Sequence, residues 1–298
     1  MITVPLSDSL PAQIARDLRT AAEAAVRGGR AAMRHYGSER LVVSQKGIDD
    51  PVTAADFDSN RAILETLAAR APGDPVLSEE SPPPAETDAG SIPRLWVVDP
   101  LDGTKEFIAQ NGEFAVMVGL ATDGRANVGA LFQPDPGMLY LGWSDGGAWV
   151  VPIALDGIGP RAGEPAALHL SDDPGGPVRF IRSRSHPDPL LSELERRLPD
   201  ALTVLCGSVG VKCARIATDS ADVYVHPVAF LKEWDTCAPE AVLRGAGGRV
   251  TDCAGEALTY GKLDPRQPRG IFAAREQTWG ALRPMVQEIA APILGHSG

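Results

Sequence analysis

The chain has 298 residues, 44% of them hydrophobic, and a formal net charge of -11. That is enough apolar content for a large core, arranged as one big domain or two, and it excludes a disordered chain. The acidic balance argues against a nucleic-acid polymer or an anionic membrane surface as partner, and no run approaches the roughly 20 apolar residues of a membrane span.

The first residues, MITVPLSDSLPAQ, lack the basic-then-apolar layout of a signal peptide, so the expected location is the cytoplasm. Residues 9–36 place Leu10, Ile14, Leu18, Ala22, Ala25, Val26 and Met33 at helical spacing and end at Gly37, which predicts a helix. A second helix is predicted over 53–70, stopped by Pro72 and Gly73. The segment SPPPAETDAGSIP at 81–93 reads as an exposed loop able to serve as a lid. A short buried strand at 95–98 is ended by Pro100 and Gly103, so Asp99 and Asp102 fall in the loop at its carboxyl end, where ligand chemistry collects in layered α/β proteins.

From 114 to 152, strand-like runs alternate with the turn signals Asp123-Gly124, Asp135-Pro136-Gly137 and Asp145-Gly146-Gly147, the pattern of an antiparallel meander. Residues 156–167 read as a connection. Beyond it, strands at 178–182, 202–206, 222–226 and 270–274 alternate with helices at 188–198, 208–218, 236–246 and 277–294, with a hairpin-like stretch at 249–260. The expected class is therefore a layered sandwich, α+β in the first half and α/β in the second. Cys206, Cys213, Cys237 and Cys253 form no CxxC pair and read as buried free thiols.

Two carboxylates about 4 Å apart repel by about 1 kcal/mol in water and about 4 kcal/mol at an effective dielectric near 20, so Asp99 and Asp102 raise the suspicion of a cation. Asp56 in VTAAD, Glu79 in LSEE and Asp235 in EWDTCAPE add acids near predicted strand ends or helix starts. Taken singly, Asp56 is explained by a first helical turn, Asp235 by an N-cap, and Glu79 with Glu80 by a solvated acidic pair. Taken together they suit a hard divalent ion such as Mg²⁺, and two such ions support phosphoryl transfer to water. Gly103 and Thr104 add N–H donors and a hydroxyl. Gly207-Ser208 opens a predicted helix whose free N–H groups suit a phosphate, with Lys212 one turn on; the alternatives are a solvated lysine there and, for His186 before Pro187, a turn residue.

In this order, DDPVTAAD, LSEE, WVVDPLDGTKEF and WDTCAPEAVLRGAGG resemble the motifs of the inositol monophosphatase superfamily of Mg²⁺-dependent, lithium-sensitive phosphatases, over roughly residues 40–260. The resemblance implies the sugar-phosphatase fold in two lobes: 1–160, with the antiparallel sheet and most metal ligands, and 161–298, with the nucleotide-binding segments. It implies Glu79, Asp99, the Leu101 carbonyl, Asp102 and Asp235 as ligands of two or three Mg²⁺ ions. It implies Asp56 and Thr104 as the catalytic pair that orients and deprotonates the attacking water. The form DGTKEF is that of the 3'(2'),5'-bisphosphate nucleotidase branch, and SRSH at 183–186 and GSVGVK at 207–212 resemble its nucleotide-binding segments. The implied substrate contacts are Gly103, Thr104, Ser183, His186, Gly207, Ser208, Lys212 and Asp235. Asp49-Asp50 departs from the Asn-Ser or Ser common in bacterial relatives.

The function this implies is hydrolysis of the 3'-phosphate of adenosine 3',5'-bisphosphate to AMP and phosphate, with a part in sulfur assimilation. An inositol or sugar monophosphate phosphatase is the alternative, and a catalytically silent nucleotide sensor a remote one. A small nucleotide is the implied partner; the oligomeric state is not legible, a homodimer being one option.

Overall fold

The computed structural model describes residues 10–38, 43–47, 50–81, 92–155, 163–171, 175–184, 188–227 and 231–294. Helix α1 (Ala12–Met33) buries Leu18, Val26 and a face of small residues, among them Ala21, Ala22 and Ala25, and packs along α2 (Ala54–Arg70). Between them β1 (Val43–Gly47) and β2 (Asp50–Thr53) pair antiparallel. Seven strands follow in one sheet, in chain order: β3 (Val76–Ser78), β4 (Arg94–Asp102), β5 (Ala115–Thr122), β6 (Arg125–Gln133), β7 (Met138–Trp143), β8 (Gly147–Pro152) and β9 (Ala166–Leu168). All neighbours are antiparallel except β3 with β4.

Successive side chains of a strand point to opposite faces, and here both faces are covered. Trp96 and Val98 of β4, with Val116, Val118 and Leu120 of β5, share a core with α1; Leu95, Val97, Ala115 and Met117 share another with α5 (Val209–Ala217) and α6 (Glu233–Gly245). Across those two helices lies a second sheet in the order β11 (Leu202–Cys206), β10 (Arg179–Ser183), β12 (Val223–His226), β14 (Ile271–Arg275), β13 (Gly248–Thr251). Its outer face, with Phe180, Val223, Val225 and Phe272, is covered by α4 (Pro189–Arg197) and α7 (Glu276–Leu294). The layers thus run helices, sheet, helices, sheet, helices, an α+β layered fold.

A row of glycines seats α6. Gly119 pairs with Gly129, and Gly129 with Gly142, across β5, β6 and β7. A methyl carbon on Gly129 would stand 2.4 Å from the Ala238 carbonyl oxygen, and one on Gly142 would stand 2.3 Å from the Val242 Cα. Both obstacles are backbone, so a side chain would have to lift the helix that carries Asp235. Gly129→Ala should therefore cost about 1–3 kcal/mol in a chemical denaturation series, as overpacking does; an unchanged midpoint would show that α6 yields without strain.

Several expectations are corrected. The strand read at 95–98 runs through Pro100 to Asp102, because a register shift between Asp99 and Asp102 lets the chain bulge where proline cannot pair, so both acids belong to the strand's end and not to a loop beyond it. The helix read at 236–246 begins at Glu233. Of the stretch read as hairpin-like, only β13 pairs with β14; after it the Asp252 carboxylate accepts from Ala254 N and Glu256 N and holds a turn. The short elements β1, β2, β3, β9 and α3 (Thr104–Ile108) carry too few residues for a periodic signal. Asp49, most of the loop read at 81–93, residues 156–162 of the connection, and His186 lie outside the described residues.

Candidate active site

Four segments converge at the carboxyl end of β4. Thr53 caps α2, and Asp56, three residues on, reaches back: its Oδ2 accepts from Thr53 N at 2.8 Å and Thr53 Oγ1 at 2.7 Å. The other oxygen, Oδ1, accepts from Thr104 Oγ1 at 3.1 Å. The helix-capping and the catalytic reading of Asp56 are thus compatible, one oxygen serving each. Thr104 itself is placed by Gly103, whose φ of +94° lies in the left-handed region that glycine adopts without strain. Its hydroxyl lies 3.2 Å from the Leu101 carbonyl oxygen.

Strand β3 brings Glu79 alongside, its N–H donating to the Val98 carbonyl next to Asp99. That segment is pinned to α2, with Ser78 Oγ donating to Asn60 Oδ1 at 2.7 Å and Asn60 Nδ2 donating to Ser81 Oγ at 3.0 Å. Ser59 of α2 donates to the Pro100 carbonyl at 2.7 Å and so holds the bulge of β4. From the other end of the chain, Asp235 stands in the first turn of α6, its Oδ2 accepting from Lys232 N at 2.6 Å. It is not the N-cap that the sequence allows; that position is Lys232.

The three aspartates meet. Asp99, Asp102 and Asp235 each offer an oxygen within 4.8 Å of the others'. Burial, followed by the charges of Glu79, Asp102 and Asp235, holds the Asp99 carboxyl well above the usual range; burial, Glu79 and Asp102 do the same to Asp235. Burial raises Asp102 against the pull of its Ser208 hydrogen bond, and raises Asp56 as well. Proteins tolerate such crowding of buried acids where protons or a cation relieve it. The donor set of carboxylates with the Leu101 carbonyl is hard oxygen throughout, and it fits Mg²⁺.

The helix start at Gly207-Ser208 is also here, but its N–H groups are not free for a phosphate as the sequence reading expects. Gly210 N and Ser208 Oγ donate to Asp102 Oδ2, Val211 N donates to Ser208 Oγ, Gly207 N donates to Glu113, and Ser208 N donates to the Glu113 carbonyl. The positive end of α5 thus holds a carboxylate of β4. Lys212 is buried, not solvated: its ammonium donates to the Gly207 carbonyl and lies 5.0 Å from the centre of the Tyr224 ring, and burial lowers its pKa. Ser183 ends β10 opposite Cys206, at the same sheet edge as Gly207.

Sequence reading passes over Ser59, Asn60, Glu106 and Glu113. Glu106 lies within TKEF and Glu113 within NGEF, shortly after the strand end that carries Asp102, and both are buried; a methyl carbon on Gly207 would meet the Glu106 carboxyl carbon at 2.1 Å, a contact that no local pattern announces. Among the described residues no helix is long and apolar enough to cross a membrane.

Comparison with known proteins agrees with the geometry. The inositol monophosphatase family matches residues 15–290. The chain is 36% identical to the 3'(2'),5'-bisphosphate nucleotidase CysQ of Salmonella typhimurium over 235 residues, which cover 78% of this chain and 89% of that protein. It is 28% identical to 3'(2'),5'-bisphosphate nucleotidase 1 of Mus musculus over 260 residues, 78% of this chain and 82% of that one. Among solved structures, CysQ from Bacteroides thetaiotaomicron, a bacterial member of the inositol monophosphatase family, superposes with a TM-score of 0.71 at 29% identity, covering 87% of this chain and 97% of that one.

Proposed function

From its membership in the inositol monophosphatase family, to which this chain belongs, we propose that it is a 3'(2'),5'-bisphosphate nucleotidase. It hydrolyses the 3'-phosphate of adenosine 3',5'-bisphosphate and leaves AMP and phosphate. The observation that carries the hydrolytic part is the meeting of Asp99, Asp102 and Asp235 beside the Asp56–Thr104 pair. A catalytically silent sensor has no need of that pair.

In this reading Glu79, Asp99, the Leu101 carbonyl, Asp102 and Asp235 hold Mg²⁺, which when bound supplies positive charge against the phosphate oxygens and lowers the pKa of water. The chain's own residues do the rest. Thr104 donates its hydroxyl hydrogen bond to Asp56, which leaves the hydroxyl oxygen free to accept a hydrogen bond from the attacking water and so to aim it. Asp56 cannot swing, because Thr53 holds its second oxygen with two hydrogen bonds. Burial lifts its pKa, which suits it to take up the proton that the water gives. Mg²⁺ dependence, lithium sensitivity, a cytoplasmic location and a part in sulfur assimilation belong to the same reading.

Release of inorganic phosphate from adenosine 3',5'-bisphosphate and from inositol 1-phosphate, side by side at saturating Mg²⁺, tests it. The expected result is a kcat/KM at least about tenfold higher for the bisphosphate, since a site built for a charged group rejects a ligand lacking it. A preference for inositol 1-phosphate would replace this reading with the monophosphatase one.

A further inference from the structure

The first turn of α6 is held from outside by residues 259–267, a loop that contributes no side chain to the acid cluster. Glu233 N donates to the Pro265 carbonyl at 2.8 Å and Gln267 N donates to the Leu231 carbonyl at 2.7 Å, with Lys232 and Arg266 opposite each other in an antiparallel bridge. Lys232 N, between those two bonds, is the donor that orients Asp235. The segment that fixes a metal-ligand candidate is thus itself fixed by the loop. One side chain ties that loop down. The Glu233 carboxylate is 0% exposed; its Oε2 accepts from Gly261 N at 2.7 Å and its Oε1 from Lys262 N at 3.0 Å.

We propose that Glu233 is a positioning residue for the metal site: its buried carboxylate pins loop 259–267 against the start of α6 and so sets the angle at which Asp235 meets Asp99 and Asp102. This rests on the Mg²⁺ reading above. Two successive N–H groups aimed at one carboxylate form an anion nest, and the φ of +81° at Gly261 makes the turn that aims them. The Lys262 ammonium stands 3.9 Å from Glu233 Oε1 and donates to the Arg266 carbonyl at 2.7 Å and to Gln267 Oε1 at 2.8 Å, which draws the far end of the loop to the same place. A carboxylate keeps its charge in the interior only where donors and a counter-charge replace its hydration, and here the loop supplies both. Residues two apart on a helix do not face each other, so Glu233 acts on Asp235 through the backbone and not by contact.

The test is a Mg²⁺ titration of the chelator-treated wild type, Glu233→Gln and Asp222→Asn. It is read twice, as the rise in Tm without substrate and as phosphate release from adenosine 3',5'-bisphosphate. Glutamine keeps the size of the side chain but turns an amide N–H towards one of the two N–H donors. Asp222, which pairs with Arg179 and Arg275, is the control for lost stability alone. In Glu233→Gln the Mg²⁺ needed for a given rise in Tm, and for half-maximal turnover, should increase about tenfold or more, as for partners that orient metal ligands, with kcat recovering at saturating Mg²⁺. In Asp222→Asn both should stay at the wild-type values. An unchanged Mg²⁺ requirement in Glu233→Gln, or an increase that Asp222→Asn reproduces, overturns the proposal. Should Glu233→Gln fail to fold, Lys262→Met, which removes the ammonium and its two bonds to the loop, decides by the same criterion. A wild type whose Tm ignores Mg²⁺ removes the metal site and this proposal with it. One whose Tm responds but which leaves the bisphosphate intact removes the nucleotidase reading alone, and the Tm titration still decides on Glu233.

Discussion

Asp99→Asn should lose nearly all turnover at saturating Mg²⁺, with kcat/KM down about 100-fold or more, beyond the usual cost of losing even a partner that only orients a metal ligand. The substitution keeps size and removes charge from the centre of the acid cluster. In the absence of divalent ions the same change should stabilise the fold at pH 7.5. The folded-state pKa of Asp99 lies well above its ordinary value through burial and through Glu79, Asp102 and Asp235. The native form therefore binds a proton that the unfolded chain has released, and stability is lost as pH rises from the unfolded pKa towards the folded one. Asparagine removes that loss. Thermal unfolding with chelator should place Asp99→Asn above wild type at pH 7.5, with the gap closing towards pH 4, while the rise in Tm that Mg²⁺ gives the wild type should shrink. Normal turnover, or an undiminished response of Tm to Mg²⁺, would show that these acids do not hold the ion.

The second large effect belongs to Thr104. Thr104→Ala leaves Asp56 Oδ1 without its donor and removes the oxygen that aims the water, so kcat should fall by about 10²–10⁴, the range of general acid–base contributions, with KM changed far less. Thr104→Ser restores the hydroxyl and should recover most of the loss. An effect confined to KM would make Thr104 a binding residue and leave Asp56 a helix cap alone.

How far this site can be read from the chain depends on the distance over which each partner acts. Asp99 and Asp102 are legible because a strand end, a proline and a glycine stand next to them. Their geometry is not, since the bulge of β4 that carries Pro100 is held by Ser59 from helix α2. The start of α5 looks, locally, like a vacant anion site; its occupant is the carboxylate of Asp102, more than a hundred residues earlier. Lys212 has the sequence surroundings of a surface residue, yet a ring on β12 and a carbonyl of its own turn enclose it. Gly119, Gly129 and Gly142 are unremarkable as glycines in strands until the register aligns them under α6. The layered class, by contrast, follows from patterns within single elements: an alanine-rich helix, an antiparallel run punctuated by turns, then strand and helix in alternation. Even there, the run Leu95–Val98 of β4 reads as uniformly apolar because both faces are buried, and only the two separate cores reveal which residue points where.

The central claim is that this cluster of acids, with Asp56 and Thr104, removes the 3'-phosphate from a nucleoside bisphosphate. Phosphorus NMR of adenosine 3',5'-bisphosphate incubated with the purified protein follows both phosphates at once. With Mg²⁺ present, the 3'-phosphate resonance should disappear, the 5'-phosphate should persist, and one equivalent of inorganic phosphate should form, all of it prevented by a chelator. Loss of the 5'-phosphate, or hydrolysis that continues at the same rate in excess chelator, would contradict the account.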